Sequence, residues 1–288
     1  IMAEDARLPS LSFTGGEPLL VPHLPELIRH AKALGMRVNL ITNGTLLDAR
    51  MAERLAAAGL DSAQVSIEGV SAATHDALVG MPGAFARSIA ALRHLRAAGI
   101  HAHGNTTVTR ANYDECAAMP RFVRDTLGGE RFSMNLLIPT GSGAAHRDLQ
   151  VRYSEIGPLV EALHAESARC GVEFMWYAPL PLCLFNTIAA GIGAKGCGAC
   201  DGLLSVAPNG DVLPCSACAE PAGNLLRTPF ADVWSSEHAR AYRHKRFAPE
   251  RCRACPELNL CNGACTLYWR AFGCAELSPV RAVNEHRT

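Results

Sequence analysis

The run C-R-A-C-P-E-L-N-L-C-N-G-A-C, from Cys252 through Cys255 and Cys261 to Cys265 with Cys274 close behind, constrains this chain more than any other stretch. A second group comprises Cys183, Cys197, Cys200, Cys215 and Cys218, and of the twelve cysteines only Cys116 and Cys170 lie outside the two groups. The sequence opens with no basic segment leading into an apolar stretch and cleavage site, so export is not indicated and a cytoplasmic, reducing setting is expected. Thiols this dense and reduced point to a metal centre rather than to disulfides.

Composition narrows the partners. Lysine plus arginine and aspartate plus glutamate both number 27. No charge excess therefore favours nucleic acid or an anionic membrane, and neither is expected as a partner. Apolar residues make up 49% of the 288, enough for a full core, yet no uninterrupted run approaches the roughly 18 that a membrane span requires. The chain opens on Ile1 and by Leu8 to Phe13 already reads as a buried strand; we expect a fragment whose natural N-terminus lies upstream.

From Ser10 to Pro139, short strand patterns alternate with longer amphipathic helical ones, which argues for βαβ units and a parallel sheet. The candidate strands are Leu8 to Phe13, Arg37 to Thr42, Ala63 to Ile67, Ile100 to Val108 and Arg131 to Ile138. Leu47, Met51 and Leu55, then Phe85, Ile89 and Leu92, mark helix faces that cover the sheet, and Gly35, Gly59 and Gly99 fall where helix C-caps belong. Fully covered parallel strands should be apolar throughout. Here Gln64, Ser66 and Glu68 share one face, as do His101, His103, Asn105 and Thr107. A curved sheet, closed or half closed into a barrel, could aim these groups into a polar lumen, so a barrel is preferred to a doubly wound sheet. His101 and His103 are expected to be hydrogen-bonded lumen or rim residues.

Polar or glycine clusters follow the strands: Thr14-Gly15-Gly16-Glu17-Pro18, Thr42-Asn43-Gly44, Glu68-Gly69 and Pro139-Thr140-Gly141-Ser142-Gly143. Ligand sites of βα barrels gather at such C-terminal strand ends. The Gly-Gly pair frees backbone amides to approach a ligand, and Glu17 offers a carboxylate to an ammonium group. Here the chain resembles the radical S-adenosylmethionine enzymes, whose second strand ends in Gly-Gly-Glu-Pro. The resemblance continues at Asn43 and through Ser66-Ile67-Glu68-Gly69. It implies that Gly15, Gly16, Glu17, Pro18, Asn43, Ser66, Glu68, Asn105 and Thr107 bind S-adenosylmethionine. Gly141-Ser142-Gly143 lacks the third glycine of a dinucleotide fingerprint, because His146 stands at that position.

A helix is expected from Glu155 to Cys170 and a strand from Val172 to Tyr177. After Pro179 prolines, glycines and cysteines rise, giving a boundary near residue 180. Asn209-Gly210 suits a tight turn between Leu203 to Ala207 and Asp211 to Leu213, with Cys200 and Cys215 at the two ends of the hairpin. This half resembles the family's SPASM extension, of form C-x9-G-x4-C, C-x2-C-x5-C-x3-C and a last cysteine: Cys200, Gly210 and Cys215, then Cys252, Cys255, Cys261 and Cys265, then Cys274. The resemblance implies two auxiliary 4Fe-4S clusters. The first would take Cys215 and Cys265 plus two of Cys183, Cys197 and Cys200. The second would take Cys252, Cys255, Cys261 and Cys274, leaving Cys218 surplus. If the 261–265 segment is helical, one turn separates Cys261 from Cys265 and lets them face different centres.

The expected architecture is thus α/β: a partial (β/α)6 radical-SAM-type barrel over residues 1–179, its first strand missing, then a small cysteine-rich α+β SPASM-like domain over 180–288. The family's C-x3-C-x2-C run, which holds the cluster that binds S-adenosylmethionine, does not occur in this sequence. This chain by itself is therefore not expected to perform reductive cleavage. For the complete protein the resemblance implies an enzyme that generates a 5'-deoxyadenosyl radical and modifies a peptide or small protein, with a reductant such as ferredoxin or flavodoxin. Other relatives act on haem precursors. Sulfatase maturases carry Asp where this chain has Ser216, which counts against that activity. No catalytic base stands out; Glu68 and Asp211 are the candidates. The alternative is a noncatalytic protein that uses zinc or clusters to recognise a peptide, since Cys197/Cys200, Cys215/Cys218 and Cys252/Cys255 all have zinc-knuckle spacing. A pure electron carrier would not require so much barrel.

Overall fold

The computed structural model describes residues 1 and 3–277. Six strands, β1 (Ser10–Phe13), β2 (Arg37–Thr42), β3 (Ser62–Ser66), β4 (His101–Val108), β5 (Arg131–Leu136) and β6 (Glu173–Trp176), form one sheet in the order β1-β2-β3-β4-β5-β6. Ser10 pairs with Arg37, Asn39 with Ser62 and Ser62 with His101, each in parallel. Every crossover therefore steps to the next strand in the same direction, whereas a doubly wound sheet reverses at a switch point. The preference for a barrel-type winding is met.

Helices α1 (Leu24–Ala33), α2 (Ala49–Ala57), α3 (Ala72–Val79), α4 (Ala84–Ala97), α5 (Tyr113–Cys116), α6 (Met119–Asp125) and α7 (Tyr153–Cys170) alternate with these strands. Local chemistry sets their ends. The Asp48 carboxylate accepts the Met51 N–H at 2.7 Å and caps α2, while the Ser71 hydroxyl accepts the Thr74 N–H at 3.2 Å and caps α3. Gly35, Gly59 and Gly99 follow α1, α2 and α4 with φ of 78°, 92° and 81°, the left-handed geometry of a helix stop.

The two sheet faces differ as the alternation predicts. Val38, Leu40, Val65 and Ile67 are buried with Ile28, Leu55, Leu92 and Leu95 of the helices. Each such side chain contributes roughly 1.5–3 kcal/mol of transfer free energy. The opposite face is polar and only half-buried at Asn39, Gln64, Ser66, His103, Asn105 and Thr107. It is stitched across strands: Asn39 donates to Ser12 Oγ at 3.3 Å and accepts from Ser62 Oγ at 2.9 Å. Asn105 likewise accepts from Ser133 Oγ at 2.8 Å and donates to Asn135 at 3.0 Å.

The chain divides into two compact units, Ile1–Asn135 with Ala162–Met175, and Leu136–Glu161 with Trp176 onward. In the second, β7 (Ser205–Val206), β8 (Asp211–Leu213) and β9 (Gly223–Asn224) form a small antiparallel sheet. Gly210 makes the expected turn with φ of 85°, and its N–H donates to Ala207 O at 2.9 Å. Short helices α8 (Phe230–Ser235), α9 (Glu237–Arg243), α10 (Glu250–Arg253), α11 (Leu258–Cys261) and α12 (Thr266–Phe272) follow. Buried Tyr153 and Tyr268 pack with tilted rings, centroids 3.8 Å apart, and Trp269 meets Tyr153 edge-on at 5.2 Å. That aromatic cluster supports the base of α12. Among the described residues, no helix is long and apolar enough to cross a membrane.

Candidate functional site: a polar strand-end cluster and two thiol groups

The strand ends of the first unit converge on Glu17. Gly15, at φ of 135°, turns the chain out of β1, and an added Cβ at Gly15 or Gly16 would meet nothing within 4 Å. The Glu17 carboxylate accepts the Leu19 N–H at 3.0 Å and the Thr42 hydroxyl at 2.6 Å through one oxygen, and the Asn43 N–H at 2.8 Å through the other. It thereby caps the short 3-10 turn Pro18–Leu20 and clamps the end of β1 to that of β2. Asn43 Oδ1 in turn accepts the Thr45 N–H and hydroxyl at 2.9 and 2.8 Å, and its backbone carbonyl accepts Ser88 Oγ at 2.7 Å. A side chain at Gly44 would collide with Ala91 and Val65, both 2.9 Å from the added Cβ.

A second clamp ties the end of β3 to β4. Glu68 Oε2 accepts the Thr107 N–H at 2.7 Å, the Glu68 N–H donates to His75 Nδ1 at 2.9 Å, and Asn112 Nδ2 donates to the carbonyls of Glu68 and Thr107, both at 2.9 Å. Burial pushes the Glu68 carboxyl up to about 7 against the opposing pull of that N–H. Ser66 lies opposite Asn105 in register. The nine residues expected to hold S-adenosylmethionine thus occupy adjacent strands and the loops that follow them, with Glu17 and Glu68 each doing a definite structural task as well. His101 is exposed. His103 departs from expectation: its Nε2 is buried with no hydrogen-bond partner among the described residues, and burial beside Arg131 and Arg96 lowers its pKa to about 4. A neutral imidazole there avoids a desolvated cation between guanidinium groups.

The cysteines of the second unit fall into two groups. Cys197, Cys200 and Cys218 share one buried cluster with Ala199, Ala239 and Tyr242, against which Cys215 and Trp234 pack. The Cys200 N–H donates to Pro214 O at 3.3 Å, so the hairpin does bring Cys200 and Cys215 together. Cys265 joins this group: burial first, and then the neighbouring Cys197 and Cys215 thiols, push it up to about 11. Its N–H donates to the Tyr153 hydroxyl at 3.3 Å. The other group is Cys252, Cys255, Cys261, Cys274 and Cys183. The Cys252 thiol is pushed up to about 11 by burial and then by Cys261, Cys183, Cys255 and Cys274.

Cys261 and Cys265 do face different groups, but not for the reason expected. The segment between them is not helical. α11 ends at Cys261, and Asn262, Gly263 and Ala264 run through φ of 56°, 68° and 60° before α12 begins. Three successive left-handed residues reverse the chain; Ala264 accepts that strained conformation while fully buried. Trp269 Nε1 donates to Gly263 O at 2.7 Å and pins the reversal.

Among the described residues, no three His, Cys, Asp or Glu side chains are placed to grip one ion. A 4Fe-4S cluster takes each thiolate on a separate iron, so its four ligands need not converge on a point. Two sets of four or five soft donors, supported by N–H groups and aromatic packing, fit that chemistry. Sequence reasoning missed Thr42, His75 and Asn112, which orient the first site, and Tyr153 and Lys245, which support the thiols. Lys245 is buried and donates to Cys197 O at 3.2 Å and to Asp201 at 3.0 Å. Thr42 had a signal, since it opens the Thr42-Asn43-Gly44 cluster; the others reach their partners only through the fold.

Comparison with known proteins agrees with this geometry. The profile of the Radical SAM superfamily matches residues 2–123, and that of an iron-sulfur cluster-binding domain matches residues 197–256. The AdoMet-dependent heme synthase of Methanosarcina barkeri is 33% identical over 280 residues, covering 92% of this chain and 79% of the relative. The PqqA peptide cyclase of Streptomyces rochei is 32% identical over 305 residues, covering 99% and 79%. The structure of Streptococcus suis SuiB bound to precursor peptide SuiA superposes with a TM-score of 0.73 at 19% identity, covering 90% of this chain and 61% of that one. The chain here thus spans about three-fifths of SuiB, and that likeness concerns the fold alone. On the sequence matches, their coverage and the strand order together, the chain belongs to the radical SAM superfamily and carries an iron-sulfur cluster-binding domain of the SPASM type.

Proposed function

We propose that the complete protein is a radical S-adenosylmethionine enzyme that modifies a peptide or small protein. The observation that carries this reading is that one chain holds both a hydrogen-bonded polar strand-end site and two separate thiol groups. Gly15, Gly16, Glu17, Pro18, Asn43, Ser66, Glu68, Asn105 and Thr107 are the proposed S-adenosylmethionine residues. The glycines leave backbone open to approach, and Glu17, already aligned by Thr42 and Asn43, retains lone pairs for an ammonium group. Glu68, poised near neutrality, can hold or release a proton at its carboxyl.

The auxiliary clusters are proposed on Cys197, Cys200, Cys215 and Cys265, and on Cys252, Cys255, Cys261 and Cys274. When bound, S-adenosylmethionine at a reduced open-site cluster supplies hydrogen-atom abstraction, and the auxiliary clusters supply electron transfer. The functional division is proposed as residues 1–179 and 180–288, with a ferredoxin or flavodoxin as reductant and the cytoplasm as the setting. The peptide assignment draws on the PqqA peptide cyclases among the relatives. A second reading, a haem precursor as substrate, is favoured by relatives of similar identity named AdoMet-dependent heme synthase.

Anaerobic reconstitution of the full-length protein, with iron and sulfide and dithionite as reductant, tests the proposal. Release of 5'-deoxyadenosine is expected, and its absence refutes the enzyme reading. A mass change in a co-expressed peptide, or in an added tetrapyrrole, separates the two substrates.

A further inference from the structure

The two thiol groups hold five cysteines each, one more than a 4Fe-4S cluster requires, and the extra thiols differ. Cys218 is buried; it donates to Glu220 O at 3.9 Å and lies 3.5 Å from the Tyr242 hydroxyl. Cys183 is exposed and occupies a turn in which Leu184 and Phe185 both donate to Pro181 O, at 2.9 and 3.1 Å. Within that turn the Leu182 N–H donates to Cys261 Sγ at 3.4 Å. Such an N–H to sulfur bond is the contact that steadies a thiolate ligand, and here it is made by the residue next to Cys183.

The packing of the first group agrees. Cys197, Cys200 and Cys218 share a buried cluster against which Cys215 packs, whereas the turn of Cys183 is bonded to Cys261 of the second group. The fold thus brings to the second group a thiol that the C-x2-C-x5-C-x3-C spacing does not predict.

Resting on the cluster reading above, we propose that Cys183 is a ligand position of the second thiol group, able to complete a 4Fe-4S cluster with Cys252, Cys255 and Cys261, so that Cys274 is dispensable for holding it. A pendant cysteine on a turn anchored to Cys261 is a second way to close the same donor set.

The test uses full-length protein reconstituted anaerobically, with iron and sulfide counted per chain and the dithionite-reduced clusters examined by electron paramagnetic resonance. Cys274→Ser should keep the wild-type iron count with an altered signal from the second cluster. The double variant Cys183→Ser/Cys274→Ser should lose about four irons, the content of one cluster. Loss of those irons in Cys274→Ser alone would overturn the proposal, and so would their full retention in the double variant. Cys261→Ser removes a thiol that both assignments require. If it kept every iron, the cluster reading itself would fail, which distinguishes that failure from a failure of the Cys183 assignment.

Discussion

The strand-end cluster and the thiol groups both withdraw polar atoms from water, and they do so in opposite ways. Around Glu17 and Glu68 each carboxyl group already accepts from backbone or neighbouring side chains, at 2.6–3.0 Å. That site is preorganised by the protein alone. Around the cysteines burial raises Cys197, Cys200, Cys215, Cys252 and Cys265, and each nearby thiol raises them further, because adjacent thiolates repel in a low dielectric. Those donors become compatible as anions only when a cation sits among them. On the proposed reading, one region receives its ligand with its donors already in place, and the other takes part of its own stability from its ligand.

The largest effect that could break this contrast comes from stripping iron from reconstituted protein. Amide exchange across residues 176–277 should accelerate about a thousandfold or more, while residues 1–135 change by less than about tenfold. Equal acceleration in both, read by mass spectrometry, would show that the first region is not independently organised. Because metal binding requires thiolates, loading should also release protons and weaken as pH falls.

Next in size, Glu17→Ala removes the acceptor of three donors and should destabilise the first unit by about 3 kcal/mol in chemical denaturation, since bonds to a charged acceptor count for more than neutral ones. A change under about 0.5 kcal/mol would mean the Glu17 clamp contributes nothing before ligand arrives.

The smallest effect sharpens the role of Glu68. Its folded pKa of about 7 lies above its ordinary 4.5, so the folded chain binds the proton more tightly. That stabilisation is complete below about 4.5 and is lost as pH rises through about 7. Glu68→Gln does not titrate. Relative to the parent it should gain about 2.8 kcal/mol between pH 4.5 and 7.5, with Thr107 still donating to the amide oxygen. A flat difference across that range would show a solvated carboxyl.

Much of this was legible beforehand, and the exceptions have physical causes. Arg37–Thr42 lies within its expected bounds, and the polar face through Gln64, Ser66, Asn105 and Thr107 followed from period-two alternation. The expected strand Arg131 to Ile138 ends instead at Leu136, just short of Pro139, which has no N–H to give a ladder. The reversal at Asn262 to Ala264 could not be read, because Ala264 carries no sign of a left-handed residue; burial and the Trp269 bond impose it. His103 Nε2 finds no partner among the described residues for a similar reason, since which polar residues face one another depends on register across strands.

The sequence by itself determined the alternation of strand and helix, the glycine stops, the strand-end motifs and the spacing of the thiols, all of which depend on neighbours within a few residues. Only the tertiary structure decided which thiols assemble. Cys183 is 14 residues from Cys197 and 78 from Cys261 in sequence, yet its turn is hydrogen-bonded to Cys261. Local spacing predicted that two groups of cysteines exist; the path of the backbone between them decided membership.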